Sequence, residues 1–120
     1  MKHEKKYTWH KIAEEIADLT FEENNLIEIE VGSKKICIAK TNDTVFACTS
    51  KCPHAGGKMA EGFLDKDNNI VCPVHRYIFS LVNGRDVSGE GYFLKIYPIK
   101  INEEGVFIGF EEGGLFSWLK

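Results

Sequence analysis

The chain has little of what marks a membrane, exported or nucleic-acid-binding protein. In its 120 residues, no apolar run approaches the roughly 18 residues that a membrane helix needs. The first 15 residues include four lysines and three glutamates and lack the apolar core of a secretion signal. The net charge of −3, from 15 basic and 18 acidic residues, is too small to indicate nucleic acid as the main partner. These absences predict a cytoplasmic protein with no membrane or nucleic-acid partner.

Cysteine and proline are also scarce, with four and three residues. A reducing compartment argues against disulfides, and two of the cysteines stand in patterns that suit a metal better. The length and a hydrophobic share of 43% are those of one compact domain with a modest core. With no repeat, linker or low-complexity tract in view, we expect residues 1–120 to form a single domain.

From residue 26 onward, short runs with a period of two follow one another along the chain, and turn residues flank them. The runs cover residues 26–31, 36–38, 45–48, 70–71, 77–81, 93–101 and 106–110. Many short strands at close intervals predict an all-β fold, an antiparallel sandwich or small barrel. Residues 10–20 are the exception, since their apolar side chains recur at helical spacing and predict a short helix. The apolar tail at residues 115–119 is expected to dock on the domain.

Two short loops each offer one thiol and one imidazole. The first contains Cys52 and His54, and the second contains Cys72 and His75, with 17 residues between His54 and Cys72. Thiolates and imidazoles are metal ligands, and a proline after each cysteine stiffens both loops. Gly56 and Gly57 allow the backbone to bend closely around a bulky group. We therefore predict that Cys52, His54, Cys72 and His75 bind a metal or metal cluster.

Three interpretations of this donor set remain. A single tetrahedral zinc that holds the fold together would use the same four side chains. However, only Pro53 separates Cys52 from His54, which is a tighter bite than the usual zinc spacings. A two-iron cluster eases this geometry, because neighbouring ligands in a loop can then bind different irons. Four core residues without any metal are the third interpretation, which the Gly- and Pro-marked loops disfavour.

The motif resembles that of soluble Rieske ferredoxins. The resemblance rests on Cys52-Pro53-His54-Ala55-Gly56-Gly57, Gly62, Cys72-Pro73-Val74-His75, Phe79-Ser80-Leu81 and Gly84. It extends more weakly over nearly the whole chain. It implies an antiparallel β fold with a small cluster-binding subdomain of two loops at about residues 49–84. It further implies a Rieske-type [2Fe-2S] cluster, with Cys52 and Cys72 on the inner iron and His54 and His75 on the outer iron.

The same resemblance implies an electron-transfer function without a catalytic centre. The expected role is a single-electron carrier between a flavin-dependent reductase and a terminal oxygenase or similar oxidoreductase. The alternative within the family is a small Rieske-like subunit of a larger reductase, such as nitrite reductase. High-potential Rieske proteins have a disulfide at the positions that match Gly57 and Val74. Because neither residue is cysteine here, we expect a potential in the lower part of the range of about −150 to +300 mV.

The sequence also predicts positions for the second pair of cysteines, for two histidines and for three cations. If Asn42 and Asp43 form a two-residue turn, Cys37 faces Cys48 across two strands, as a pair of buried thiols. We expect His3 and His10 to lie at the surface. Three cations flank the ligands and are candidates to meet an acidic partner. They are Lys51, Lys58 and Arg76.

Overall fold

The computed structural model describes residues 6–42, 44–53, 56–87, 89 and 91–112. These residues form short β-strands with two 3-10 turns, at Ile16–Asp18 and Met59–Glu61. The strands are β1 (Tyr7–Ala13), β2 (Leu26–Val31), β3 (Lys34–Thr41), β4 (Thr44–Thr49), β5 (Phe63–Leu64), β6 (Asn69–Val71), β7 (Ile78–Ser80), β8 (Ile96–Tyr97), β9 (Ile99–Asn102) and β10 (Gly105–Glu111).

The strands form three antiparallel sheets, which confirms the predicted all-β class. Their orders are β1-β10-β9, β2-β3-β4-β8 and β5-β6-β7. The register of β3 and β4 pairs Thr41 with Thr44, so the connection between these strands is the predicted two-residue turn. The third sheet belongs to the segment predicted to bind the cluster.

The four-stranded sheet is the middle layer of the domain, because both of its faces are buried. One face, with Ile36 and Ile38, packs against β1 and β10. The other face, with Cys37 and Ala39, packs against the sheet β5-β6-β7. This double coverage explains why β3 contains a continuous buried run at residues 36–39, where a one-sided strand would alternate. The subdomain that contains the ligand loops thus rests on a fully buried platform.

The predicted helix at residues 10–20 is wrong. Residues Tyr7–Ala13 form β1, which pairs with β10, and only the 3-10 turn Ile16–Asp18 follows. The apolar side chains Ile12 and Ile16 pack on the core between β1 and the middle sheet. Backbone pairing with a strand almost a hundred residues away therefore overrides the local helical pattern.

Two other elements differ from the prediction. The run at residues 93–101 divides at Pro98 into β8 and β9, because proline lacks the amide needed to continue a ladder. The Pro98 carbonyl instead accepts a hydrogen bond from Gly109 N–H at 2.9 Å. The two-residue strand β5 was missed because it is too short for a pattern, and it forms by pairing with β6.

The remaining sequence-based expectations have mixed outcomes. His10 is half-buried, with its ring 4.9 Å from that of Phe110, so it is less exposed than expected. His3 and the tail at residues 115–119 lie outside the described residues. Within the described part of the chain, no helix has the length and apolar character to cross a membrane.

The turn after β7 generates a test of the fold. Gly84 has φ +79°, and a Cβ on it would lie 2.0 Å from the Leu94 carbonyl oxygen. Gly89 has a similar φ of +84° but open space around it, so it is a matched control. We expect Gly84→Ala to lower the free energy of unfolding by roughly 2–4 kcal/mol and Gly89→Ala by about 1 kcal/mol. Urea denaturation measures both values, and equal losses would contradict the close packing of residues 84 and 94.

Candidate metal centre

The two ligand loops have the same length and are closed by the same kind of backbone hydrogen bond. Loop 1 is defined as residues 52–57 and loop 2 as residues 72–77, so each contains six residues. In loop 1, Cys52 N–H donates to the Gly57 carbonyl at 2.7 Å, and in loop 2, Cys72 N–H donates to the Tyr77 carbonyl at 2.8 Å. Each loop therefore closes on its own cysteine. This closure fixes the backbone at both predicted thiolate ligands.

Left-handed backbone conformations reverse the chain in both loops. Gly56 in loop 1 has φ +74°, and Arg76, at the same place in loop 2, has φ +58°. His75 beside it has φ +62°. Two consecutive non-glycine residues in this region store strain, of the order of 1 kcal/mol each, which the rest of the fold must offset. Such strain is common where a loop holds side chains for a function.

The loops bring their cysteine thiols together in the core. Cys52 is 2% exposed and Cys72 is fully buried, and both belong to one hydrophobic cluster. Burial, together with a hydrogen bond between the two thiols, raises the pKa of Cys72 to about 11. Val74 N–H donates to the Cys72 Sγ atom at 3.4 Å, and this bond favours the thiolate. The structure thus places two soft donors side by side, out of contact with water.

Gly57 is the point where loop 1 meets loop 2. A Cβ on this residue would lie 2.7 Å from Val74 Cγ2 and 3.6 Å from the Cys72 Sγ atom. No real side chain tolerates the first distance without displacing its neighbour. The absence of a side chain at position 57 therefore allows the second loop, with its thiol, to approach closely. The result is a narrow cradle around the thiol pair.

The imidazole of loop 2 has a different environment from the thiols. His75 is exposed at the loop surface, three residues after the fully buried Cys72. His54 lies outside the described residues. Over residues 6–42, 44–53, 56–87, 89 and 91–112, no three His, Cys, Asp or Glu side chains are grouped closely enough to hold one metal ion. The described ligand candidates are thus a buried thiol pair and an exposed imidazole.

Residues that sequence reasoning missed anchor loop 1 to the middle sheet. The Ser50 hydroxyl donates to the Glu28 carboxylate, and the Ser50 carbonyl accepts from Met59 N–H at 2.7 Å. Ser50 and Met59 are both buried. Glu28 lies on β2, 22 residues before Ser50. Since no local pattern links residues so far apart, the sequence carried no signal for this anchor.

The second pair of cysteines lies in the same core cluster as the first. The register of β3 and β4 pairs Cys37 with Cys48, as the turn prediction required, and both thiols are free and fully buried. A hydrogen bond between the Cys48 and Cys37 thiols, together with burial, raises the pKa of Cys48 well above its usual range. The expectation of a buried thiol pair in the interior is confirmed.

Comparison with known proteins places these features in a family. The family model described as "Rieske [2Fe-2S] domain" matches residues 8–92. The ferredoxin component of the alkene monooxygenase system of Xanthobacter autotrophicus is 28% identical over 82 residues, which cover 68% of this chain and 67% of that protein.

Two solved structures share the fold. The ferredoxin of carbazole 1,9a-dioxygenase from Nocardioides aromaticivorans IC177 superposes with a TM-score of 0.72 at 17% identity, covering 84% of this chain and 96% of that one. A candidate NADH-dependent nitrite reductase small subunit from Mycobacterium tuberculosis gives 0.75 at 16% identity, covering 89% and 98%. The segment that the family model matches, residues 8–92, contains both loop 1 and loop 2. The chain therefore belongs to the Rieske [2Fe-2S] domain family, and a Rieske-type [2Fe-2S] cluster is its cofactor.

Proposed function

We propose that this chain is a single-electron carrier whose cluster is held by Cys52, His54, Cys72 and His75. The proposal rests on a difference in solvent exposure between the cysteines and the histidine of these loops. Two buried thiols are in contact with each other, whereas His75 of the same site is exposed. Two cysteines on an inner iron and two histidines on an outer iron require this division.

The residues of the site fit such a cluster and its chemistry. When bound, a Rieske cluster takes up and releases one electron, at a potential that its histidine ligands raise above that of all-cysteine clusters. Burial keeps the thiols away from water, and the exposed imidazole gives the electron a short path to a partner. Because the pKa of Cys72 is raised, binding iron must displace its proton, so we expect cluster assembly to release protons.

The proposed partners are a flavin-dependent reductase as donor and a terminal oxygenase or similar oxidoreductase as acceptor. The names of the alkene monooxygenase and carbazole dioxygenase ferredoxins support the acceptor. On this proposal the chain has no catalytic centre of its own and acts in the cytoplasm.

The fold shared with a nitrite reductase small subunit supports a second candidate function, that of a subunit of a larger reductase. Stable co-purification with a large reductase subunit would indicate that candidate.

The ligand assignment predicts which substitutions remove the cluster. We expect Cys52→Ala, Cys72→Ala, His54→Ala and His75→Ala to abolish the visible absorption and the electron paramagnetic resonance signal of a histidine-ligated [2Fe-2S] cluster. The reason is that each change removes one of only four ligands. Iron analysis and both spectra on purified protein measure the loss.

The second cysteine pair supplies the control for this experiment. Cys37→Ala and Cys48→Ala remove thiols from the same core at a comparable cost in packing, of the order of 1–2 kcal/mol each. Both variants should keep iron and signal. Loss of the cluster from the control variants, or a colourless wild-type protein with stoichiometric zinc, would contradict the assignment.

The surroundings of the thiols predict a low reduction potential. Phe79, which is fully buried in the thiol cluster, has no hydroxyl group, and Val74 N–H is the donor seen on Cys72 Sγ. A side chain without a hydroxyl at position 79 cannot donate a hydrogen bond to a ligand sulfur, and each such bond would stabilise the reduced cluster. We expect a midpoint potential below roughly +100 mV. A redox titration followed by absorption tests this, and a markedly higher midpoint would contradict it.

The close contact between Gly57 and Val74 predicts that a substitution at position 74 restores cluster retention in a variant of Gly57. We expect Gly57→Ala to weaken cluster retention, because the added Cβ would lie 2.7 Å from Val74 Cγ2 and push the loops apart. Val74→Ala removes that atom, so the double variant should retain more iron than Gly57→Ala alone. The measurement is the rate of iron release to a chelator. If Val74→Ala does not slow release in the Gly57→Ala background, this contact does not set the spacing of the loops.

A further inference from the structure

The ligand end of the molecule differs in charge from the rest of the chain. The whole protein has a net charge of −3, yet residues 49–60 and loop 2 contain no aspartate or glutamate. They contain three cations, Lys51, Lys58 and Arg76, which we call the basic rim. All three are exposed, as is the neighbouring ligand candidate His75. A positive surface thus surrounds the ligand loops of an acidic protein.

The backbone holds two of the rim cations against each other. Lys51 and Lys58 are direct antiparallel partners across the base of loop 1. Like charges at facing positions destabilise a strand pair, so local stability does not explain this pairing. A Cβ on Gly56 would lie 3.3 Å from Lys51 Cε, which shows that the Lys51 side chain folds over loop 1. The fold thereby keeps a positive charge over the loop that contains Cys52.

Cations outnumber carboxylates in the hollow beside loop 1. This hollow, of about 370 Å³, is lined by one carboxylate, Glu28, which accepts a hydrogen bond from Ser50, and by the three lysines Lys35, Lys51 and Lys58. Glu61 ends the 3-10 turn that follows loop 1, and Asp86 is the antiparallel bridge partner of Phe79. Within the described part of the chain, none of the rim cations forms an ion pair.

We infer that the basic rim is a docking surface for a redox partner whose own electron-transfer site is bordered by acidic side chains. The inference rests on the proposed function, because the rim has this meaning only if the electron leaves through the exposed end of the loops. Complementary charge at an interface steers the encounter and raises the association rate more than it raises affinity. A carrier that must bind and release quickly gains most from this effect.

Small redox reagents of opposite charge test the electrostatic field at the surface through which the electron leaves the protein. Chemically reduced protein is mixed in a stopped-flow instrument with hexacyanoferrate(III), a trianion, or with tris(phenanthroline)cobalt(III), a trication. In each case the cluster loses one electron and the reagent gains it. If the rim governs the encounter, salt slows the reaction with the anion and speeds the reaction with the cation. If the net charge of −3 governs it, both effects have the opposite sign.

Two triple variants with the same loss of positive charge complete the test. Lys51→Gln/Lys58→Gln/Arg76→Gln removes the rim, whereas Lys40→Gln/Lys66→Gln/Lys100→Gln removes cations from β3, the β5-β6 turn and β9. At low salt we expect the rim variant to react with hexacyanoferrate(III) roughly five- to tenfold more slowly than wild type. The control variant should differ by less than about twofold.

The possible outcomes separate this inference from the proposed function. Equal slowing of both variants, or a wild-type reaction with the anion that salt accelerates, would overturn the rim as a steering surface. The absorption spectrum and reversible one-electron reduction are recorded first on every protein. A wild-type protein that fails those checks refutes the electron carrier itself, whereas one that passes them and shows the wrong salt dependence refutes only the acidic partner.

Discussion

The contact between the thiols of Cys52 and Cys72 is the interaction on which the rest of this site depends. Each cysteine is fixed by a hydrogen bond from its own amide to the far end of its six-residue loop. The loops can then meet only because Gly57 has no side chain at the point of contact. Two thiols that are 20 positions apart in sequence become neighbours in a water-free interior.

This arrangement has an energetic cost that the surrounding fold offsets. The left-handed conformations at His75 and Arg76 are unfavourable features. They are held by a core that includes Met59, Ile70 and Phe79, each fully buried. The middle sheet supports this core from below, since its opposite face is covered by β1 and β10. A rigid base of this kind is what a strained metal-binding loop requires.

The functional consequence is an asymmetric site. The sulfur donors face the interior, and His75 and the basic rim face solvent. On the proposed function, the buried side sets the electronic character of the cluster, whereas the exposed side determines which partners approach. These two properties therefore depend on different residues. Evolution or design could alter partner choice through Lys51, Lys58 and Arg76 without touching the thiols.

The sequence predicted the strands with clear alternation, such as Leu26–Val31, and the pairing of Cys37 with Cys48, which follows from one turn. It failed at residues 10–20, where the helical spacing was a weak local preference and pairing with β10 was decisive. The four ligand positions follow from the motif alone and remain a prediction, and His54 lies outside the described residues.

By itself, the sequence determined the identity of the donor atoms, the loop lengths and the turn residues, because these depend on chemistry within a few positions. Only the tertiary structure decided that loop 1 contacts loop 2 at Gly57, that Ser50 binds Glu28, and that Lys51 pairs with Lys58 across the base of loop 1. Such relations join distant residues. They are fixed by which surfaces give the most favourable burial together, a property of the whole chain rather than of any segment.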